Sequence, residues 1–273
     1  MFHCYYKGEI LPVSECRIPA NDLGLFRGYG VFDYFRTYQK KPFQWDWYWE
    51  RFENSAEKLN LKIPIEKSDA REVVNQLIRL SPQEECAIRF ILTGGTTING
   101  TDAEDPTLIV FSEKIAEVSE STYQKGIKIE SREYLRDMAE AKSTDYKFLL
   151  TIRPDLAKNG SYDVLYHQNG EISELSRSNI FLVKDNVLIT PSRNILKGIT
   201  RRKVLELAKD KYKIEERPVL FEELKNAEEV FTTSSTKKVL SITQIDDLII
   251  GNGKPGPVSQ SLLSDFNAFT LSC

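Results

Sequence analysis

The chain has 273 residues, 41% of them hydrophobic and 28% charged, and its 37 Lys and Arg against 40 Asp and Glu leave a formal charge of −3. That balance belongs to a soluble globular protein of one large or two medium domains and excludes a disordered or fibrous chain. No basic run favours nucleic acid, and two histidines, His3 and His167, leave little material for a metal site.

Residues 2–13 are short apolar clusters around Lys7-Gly8-Glu9, a pattern that predicts a β-hairpin turning at Gly8. Gly30 to Tyr38 is aromatic and β-branched and predicts a strand. From Asp46 to Leu61 the apolar Tyr48, Phe52, Ala56 and Leu59 recur at helical spacing, and 68–81 predicts a second amphipathic helix. Strands are expected at 86–93 and 107–113, joined by the small-residue loop GGTTINGTDAEDP. The polar stretch from Lys114 to Gln124 then separates two halves: residues 1–115, a linker at 116–122, and 123–273.

The second half predicts strands at 126–131, 162–167, 179–184, 186–190, 228–233 and 247–250. Its helices are expected at 146–158, at 200–212 after the turn Leu196-Lys197-Gly198-Ile199-Thr200, and from about Pro257. The whole reads as two α/β or α+β domains with no internal repeat.

Four scattered cysteines (Cys4, Cys16, Cys86, Cys273) without CxxC spacing read as reduced thiols of a cytoplasmic protein. The start MFHCYYKGEILPV lacks the basic and apolar regions of a secretory signal. Nor does any segment approach the roughly 18 uninterrupted apolar residues of a membrane span. The expectation is a cytosolic protein, with neither membrane nor nucleic acid as partner, acting on something small.

Among chemical motifs there is no GxSxG elbow, no GxxxxGK[ST] loop and no GxGxxG fingerprint after a strand. LKGITRR at 196–202 does have anion-binding physics, because Gly198 permits a tight turn and the free N–H groups of a helix start favour negative charge. An ordinary capped helix start explains the same residues. Taken singly, Glu174, Lys142 and Lys147 read as solvated charges.

Taken in order, however, RGYGVFDYFRTY, ERFENSAEKLNL, the Lys142 segment, GEISELSRSNIFLVKDNVLITP, ILKGITRRKVLELA and EEVFTTSST form a specific succession across nearly the whole chain. It resembles the fold-type IV, or class IV, pyridoxal-phosphate aminotransferases, and most closely their D-amino-acid branch. The resemblance implies the two-domain α/β (α+β) fold of D-amino-acid aminotransferases, pyridoxal 5'-phosphate as cofactor, and a homodimer.

Residue by residue, the resemblance makes Lys142 the catalytic lysine, holding the cofactor as an aldimine and moving a proton at the substrate's Cα in a ping-pong exchange. Glu174 lies 32 residues further on, as in the D-amino-acid branch, and would pair with the pyridine nitrogen; Lys147 is too near Glu174 for the same spacing. Arg51, Ile199, Thr200, Ser234 and Ser235 would hold the phosphate, and Tyr146 the phenolic oxygen, although a core tyrosine fits that position equally well.

The chain departs from its relatives where the substrate carboxylate binds. TTINGTDAEDP lacks the Arg and His common in the D-amino-acid branch, and Phe32-Asp33-Tyr34-Phe35-Arg36 lacks the small glycine of the branched-chain pattern. The expected replacement is a clamp of Arg27 from one subunit with Arg89 and Lys237 of the other. The implied reaction moves an amino group between a D-amino acid of the glutamate or alanine type and a 2-oxo acid. A branched-chain L-amino-acid aminotransferase and an aminodeoxychorismate lyase are the alternatives.

Overall fold

A computed structural model describes residues 1–272, and Cys273 lies outside the described residues. The chain divides into two compact units. One comprises Met1–Ala116 with Ala141–Asp145, the other Glu117–Glu140 with Tyr146–Ser272.

The first unit contains β1 (His3–Tyr6), β2 (Glu9–Pro12), α1 (Leu23–Phe26), β3 (Gly30–Tyr38), β4 (Lys41–Pro42), α2 (Trp45–Lys58), α3 (Lys67–Leu80), β5 (Ala87–Thr96) and β6 (Asp105–Glu113). Its strands form one sheet in the order β2-β1-β6-β5-β3-β4. The two faces of β3 alternate as the pleat requires. Phe35 packs against Trp45 and Tyr48 of α2 at ring-centre distances of 6.0 and 5.2 Å, and Phe90 of β5 packs against Phe52 at 5.3 Å. Much of the aromatic density at 26–49 is thus core, with Phe35, Phe43, Trp45, Tyr48 and Trp49 all buried. The opposite face carries Phe32 and Tyr34, half-buried, with Arg89 directly across from Tyr34.

Ala141–Asp145 joins this unit through backbone pairing that sequence pattern does not reveal. Val31 bridges to Ser143, Phe32 donates its N–H to the Lys142 carbonyl at 2.9 Å, and Thr144 donates to the Gly30 carbonyl at 2.9 Å. Lys142 therefore belongs to the first unit, not to the second half in which the linear reading put it.

The second unit contains α4 (Glu120–Lys125), β7 (Ile127–Glu133), α5 (Lys147–Lys158), β8 (Asp163–Gln168), β9 (Glu171–Leu175), β10 (Asn179–Lys184), β11 (Val187–Thr190), α6 (Ile199–Ala208), β12 (Lys213–Glu216), β13 (Val219–Leu220), β14 (Glu229–Ser234), β15 (Lys238–Ile245), β16 (Leu248–Ile249) and α7 (Pro257–Leu271). The sheet runs β12-β11-β10-β14-β15-β7-β8-β9-β13, with β16 beside β15. Its core includes Ile129, Leu165, Leu175, Ile180, Leu182, Leu240 and Ile242.

Three elements differ from expectation. The polar stretch at 114–124 ends in α4, whose start is capped by Ser119 accepting the Thr122 N–H at 3.2 Å. The helix expected at 200–212 closes at Ala208. Lys238–Ile245, unread as a strand, lies between β14 and β7 in the sheet. No helix among the described residues is long and apolar enough to cross a membrane.

Candidate active site

In the first unit, Lys142 is fixed by its backbone: its N–H donates to Ser55 Oγ at 3.1 Å and its carbonyl takes the Phe32 N–H. Its Nζ lies 4.5 Å from the centre of the Phe32 ring. The Arg89 guanidinium lies 5.6 Å from the same ring and 4.9 Å from that of Tyr34. Arg89 donates through Nε and Nη2 to one oxygen of Glu113, at 2.9 and 2.6 Å, with both side chains about 30% exposed. Burial and the nearby Glu113 push the Tyr34 hydroxyl up to about 12.

Arg51 projects from α2 into the same sheet and grips Asp33 bidentately at 2.6 and 2.9 Å. An arginine held this way presents its charge in one orientation. Arg27 follows α1 on an exposed turn. The turn is held by Asp22, fully buried, which accepts from the Gly24 N–H at 2.8 Å and from Thr93 Oγ1 at 2.9 Å.

In the second unit, Glu174 is 4% exposed at the end of β9. One oxygen accepts from Arg136 Nη1 at 2.7 Å; the other accepts from the Leu196 N–H at 3.1 Å and from Asn179 Nδ2 at 3.4 Å. Burial opposes the Arg136 charge, but the Glu174 carboxylate outweighs it and raises the guanidinium's affinity for its proton. Tyr146, the residue before α5, adds to the field at Arg136. Sequence reasoning missed Arg136. A buried carboxylate demands a cation, but which of many arginines supplies it depends on folding.

Ile199 and Thr200 open α6 behind Gly198, where the first N–H groups of a helix lack partners within it. A β-carbon on Gly198 would sit 2.1 Å from Asn179 Oδ1, so only glycine admits that approach. The hydroxyls of Thr200 and Thr233 are buried and have no hydrogen-bond partner among the described residues. Leaving such groups unpaired costs about 1–3 kcal/mol each, and a phosphate has the acceptor oxygens they lack. Ser234 and Ser235 follow Thr233 directly, both half-buried. Thr233 is therefore added to the residues named from sequence. Together these groups fit the phosphate end of pyridoxal phosphate. Thr200→Val is expected to weaken its binding about tenfold without lowering the melting temperature of the cofactor-free protein, checked by cofactor titration beside a melt.

Lys237 does not behave as the free cation expected of it. It is 4% exposed and donates to the buried Asp163 at 2.5 Å, so its charge is neutralised inside the sheet. Lys147, the rejected rival of Lys142, is exposed on the first turn of α5.

Known proteins resemble this chain along nearly its whole length. Residues 30–245 match the family described as amino-transferase class IV. A D-alanine aminotransferase of Bacillus licheniformis is 26% identical over 275 residues, covering 98% of this chain and 96% of that protein. A putative branched-chain-amino-acid aminotransferase of Methanocaldococcus jannaschii is 27% identical over 271 residues, covering 96% and 94%. Among solved structures, a T.th. branched-chain amino acid aminotransferase with pyridoxamine 5'-phosphate aligns with a TM-score of 0.92 at 25% identity, over 99% of this chain and 94% of that one. A fold IV-transaminase of Curtobacterium pusillum aligns over the full length of both chains with a TM-score of 0.84 at 25% identity. With the match spanning most of the chain, the chain belongs to the class IV aminotransferases and takes their cofactor, pyridoxal 5'-phosphate.

Proposed function

We propose that this aminotransferase moves the amino group of a D-amino acid, of the D-glutamate or D-alanine type, to a 2-oxo acid, as a cytoplasmic homodimer. The observation that carries the reading is the ring of Phe32, whose centre lies 4.5 Å from the Lys142 amine and 5.6 Å from the Arg89 guanidinium. The two cations are therefore no more than about 10 Å apart. A substrate whose amine meets Lys142 has a guanidinium close by for its carboxylate. Likeness to the D-alanine aminotransferase along nearly its whole length supports the D-amino acid.

When bound, pyridoxal phosphate supplies a carbonyl for the amino group and a ring that spreads the negative charge developing at Cα. Lys142 carries the proton at that carbon. Glu174, held by Arg136, keeps a proton on the pyridine nitrogen, and Tyr146 meets the phenolic oxygen. Arg51, Ile199, Thr200, Ser234 and Ser235 bind the phosphate with Thr233. The carboxylate clamp is Arg89 with Arg27 of the second subunit, the Asp163 pairing having removed Lys237 from it. Leu25 and Phe26, apolar and exposed beside Arg27, support a subunit contact there.

A specific observation favours a second reading, branched-chain L-amino acids: the TM-score of 0.92 to a branched-chain enzyme. A half-reaction separates the two. Enzyme carrying pyridoxal phosphate is mixed with D-glutamate, D-alanine or L-leucine, with no 2-oxo acid present. Conversion of the cofactor's absorbance to that of its amino form by the D-substrates alone is the expected result, and conversion by L-leucine alone replaces the first reading with the second. Arg89→Ala is expected to raise KM for the amino acid about 30- to 100-fold with a smaller change in kcat, from the loss of a charged hydrogen bond. An unchanged KM takes Arg89 out of the clamp.

A further inference from the structure

Lys237 lies in the turn between β14 and β15, and neither it nor Asp163 reaches solvent appreciably, at 4% and 0% exposure. Its Nζ donates to Asp163 Oδ2 at 2.5 Å and to Ser178 Oγ at 2.9 Å. The other Asp163 oxygen accepts from the Ser176 hydroxyl and from the Val164 N–H at 2.9 Å. Ser178 and Thr232 share a hydrogen bond at 2.7 Å, and Thr232 donates to the Asn179 carbonyl at 2.8 Å. The Asn179 amide in turn donates to Glu174 and, at 2.8 Å, to the Leu196 carbonyl. At its backbone end, the Lys237 N–H donates to Ser234 Oγ at 3.1 Å and its carbonyl accepts from the Tyr123 hydroxyl at 3.1 Å.

One buried ammonium therefore ties three segments: the start of β8, the Leu175–Asn179 turn directly after Glu174, and the turn that carries Ser234 and Ser235. Burying an ion pair rarely gains stability over apolar packing of the same volume, because desolvation consumes the Coulomb energy. What an ammonium adds is direction, since its N–H groups must each find an acceptor.

We infer that Lys237 is a positioning residue: paired with Asp163, it holds the turn after Glu174 and the Ser234–Ser235 turn in the arrangement that binds pyridoxal phosphate. The inference rests on assigning those two turns to the cofactor, and wild-type titration with pyridoxal phosphate tests that assignment first. Failure of the wild type to bind would refute the assignment, whereas binding that is indifferent to the network would refute the inference alone.

The experiment prepares the full chain free of cofactor and follows pyridoxal phosphate binding by absorbance and tryptophan fluorescence, with a melt of each protein. Lys237→Met strands the Asp163 charge and is expected to lose both stability and cofactor. The double variant Asp163→Asn with Lys237→Met removes both charges, so its melting temperature should return to within about 5 °C of wild type. Its dissociation constant for pyridoxal phosphate should nevertheless stay about tenfold weaker or more. Thr232→Val leaves the ion pair intact and cuts the chain of hydroxyls behind Asn179. It should weaken binding about threefold, with the melting temperature lowered by no more than about 10 °C because two buried hydrogen bonds are lost. Cofactor affinity within about twofold of wild type in the folded double variant overturns the inference. If the double variant does not fold, the same result in Thr232→Val overturns it.

Discussion

Lys142→Ala is expected to lower turnover by about four orders of magnitude, while pyridoxal phosphate still binds through its phosphate contacts. The size follows from the two duties proposed for this one side chain, covalent attachment and proton transfer at the reacting carbon. The residue's setting suits both. Its backbone is fixed on each side, by Ser55 Oγ at the N–H and by the Phe32 N–H at the carbonyl, so the side chain starts from a rigid point. Its amine rests 4.5 Å from the centre of the Phe32 ring, an apolar floor beneath a lysine that stays only half-buried. Lys147→Ala is the control. That side chain is exposed on α5, and its loss should leave turnover within about twofold. Single-turnover absorbance of the two variants checks both statements. More than about 1% of wild-type turnover in Lys142→Ala would move the catalytic role elsewhere.

A succession of motifs singles out this lysine in the sequence, and the structure explains why linear pattern put it in the second half and not in the first unit. Local signals were legible wherever one element made its own case. Gly30–Tyr38, with apolar residues on its buried face, was readable to the residue, and the helices at 45–58 and 67–80 to within about one turn. What stayed illegible depends on partners distant in the chain. Ala141–Asp145 has no periodicity and joins the first unit only because β3 offers it backbone groups. Lys238–Ile245 begins at the second of two lysines behind a tight turn, and its place in the middle of the sheet comes from β14 and β7 on either side.

The same division runs through the site. Glu174 and Thr200 lie in motifs and could be named from them. Arg136, Asn179 and Asp163 act by pairing across 38, 5 and 74 residues respectively, with Glu174, Glu174 and Lys237. Lys237 shows the cost of reading charge without burial: a cation near a binding motif looks available until the fold supplies its carboxylate. Arg89 lies on β5, a strand legible in the sequence, yet its Glu113 partner on β6 could not be read from β5.

Glu174→Gln is expected to reduce kcat about a thousandfold while weakening pyridoxal phosphate binding by less than about tenfold. The carboxylate receives hydrogen bonds from Arg136, from the Leu196 N–H and from Asn179, all donors. A glutamine keeps the shape but must turn its NH2 toward one of those donors, leaving a buried mismatch worth about 1–3 kcal/mol. It also leaves the buried Arg136 charge uncompensated, and on the proposed assignment the ring nitrogen that Glu174 would serve must itself carry a proton to draw electrons from the substrate. Stability and turnover should therefore fall together in the single variant. Adding Arg136→Met removes the stranded cation and should restore the melting temperature, but not kcat, because no anion then holds the proton on the ring. Melts and steady-state kinetics of the single and double variants separate the two effects. If the double variant regained kcat, repulsion by Arg136 would account for the whole defect, and Glu174 would be a counter-ion of the fold with no part in the chemistry.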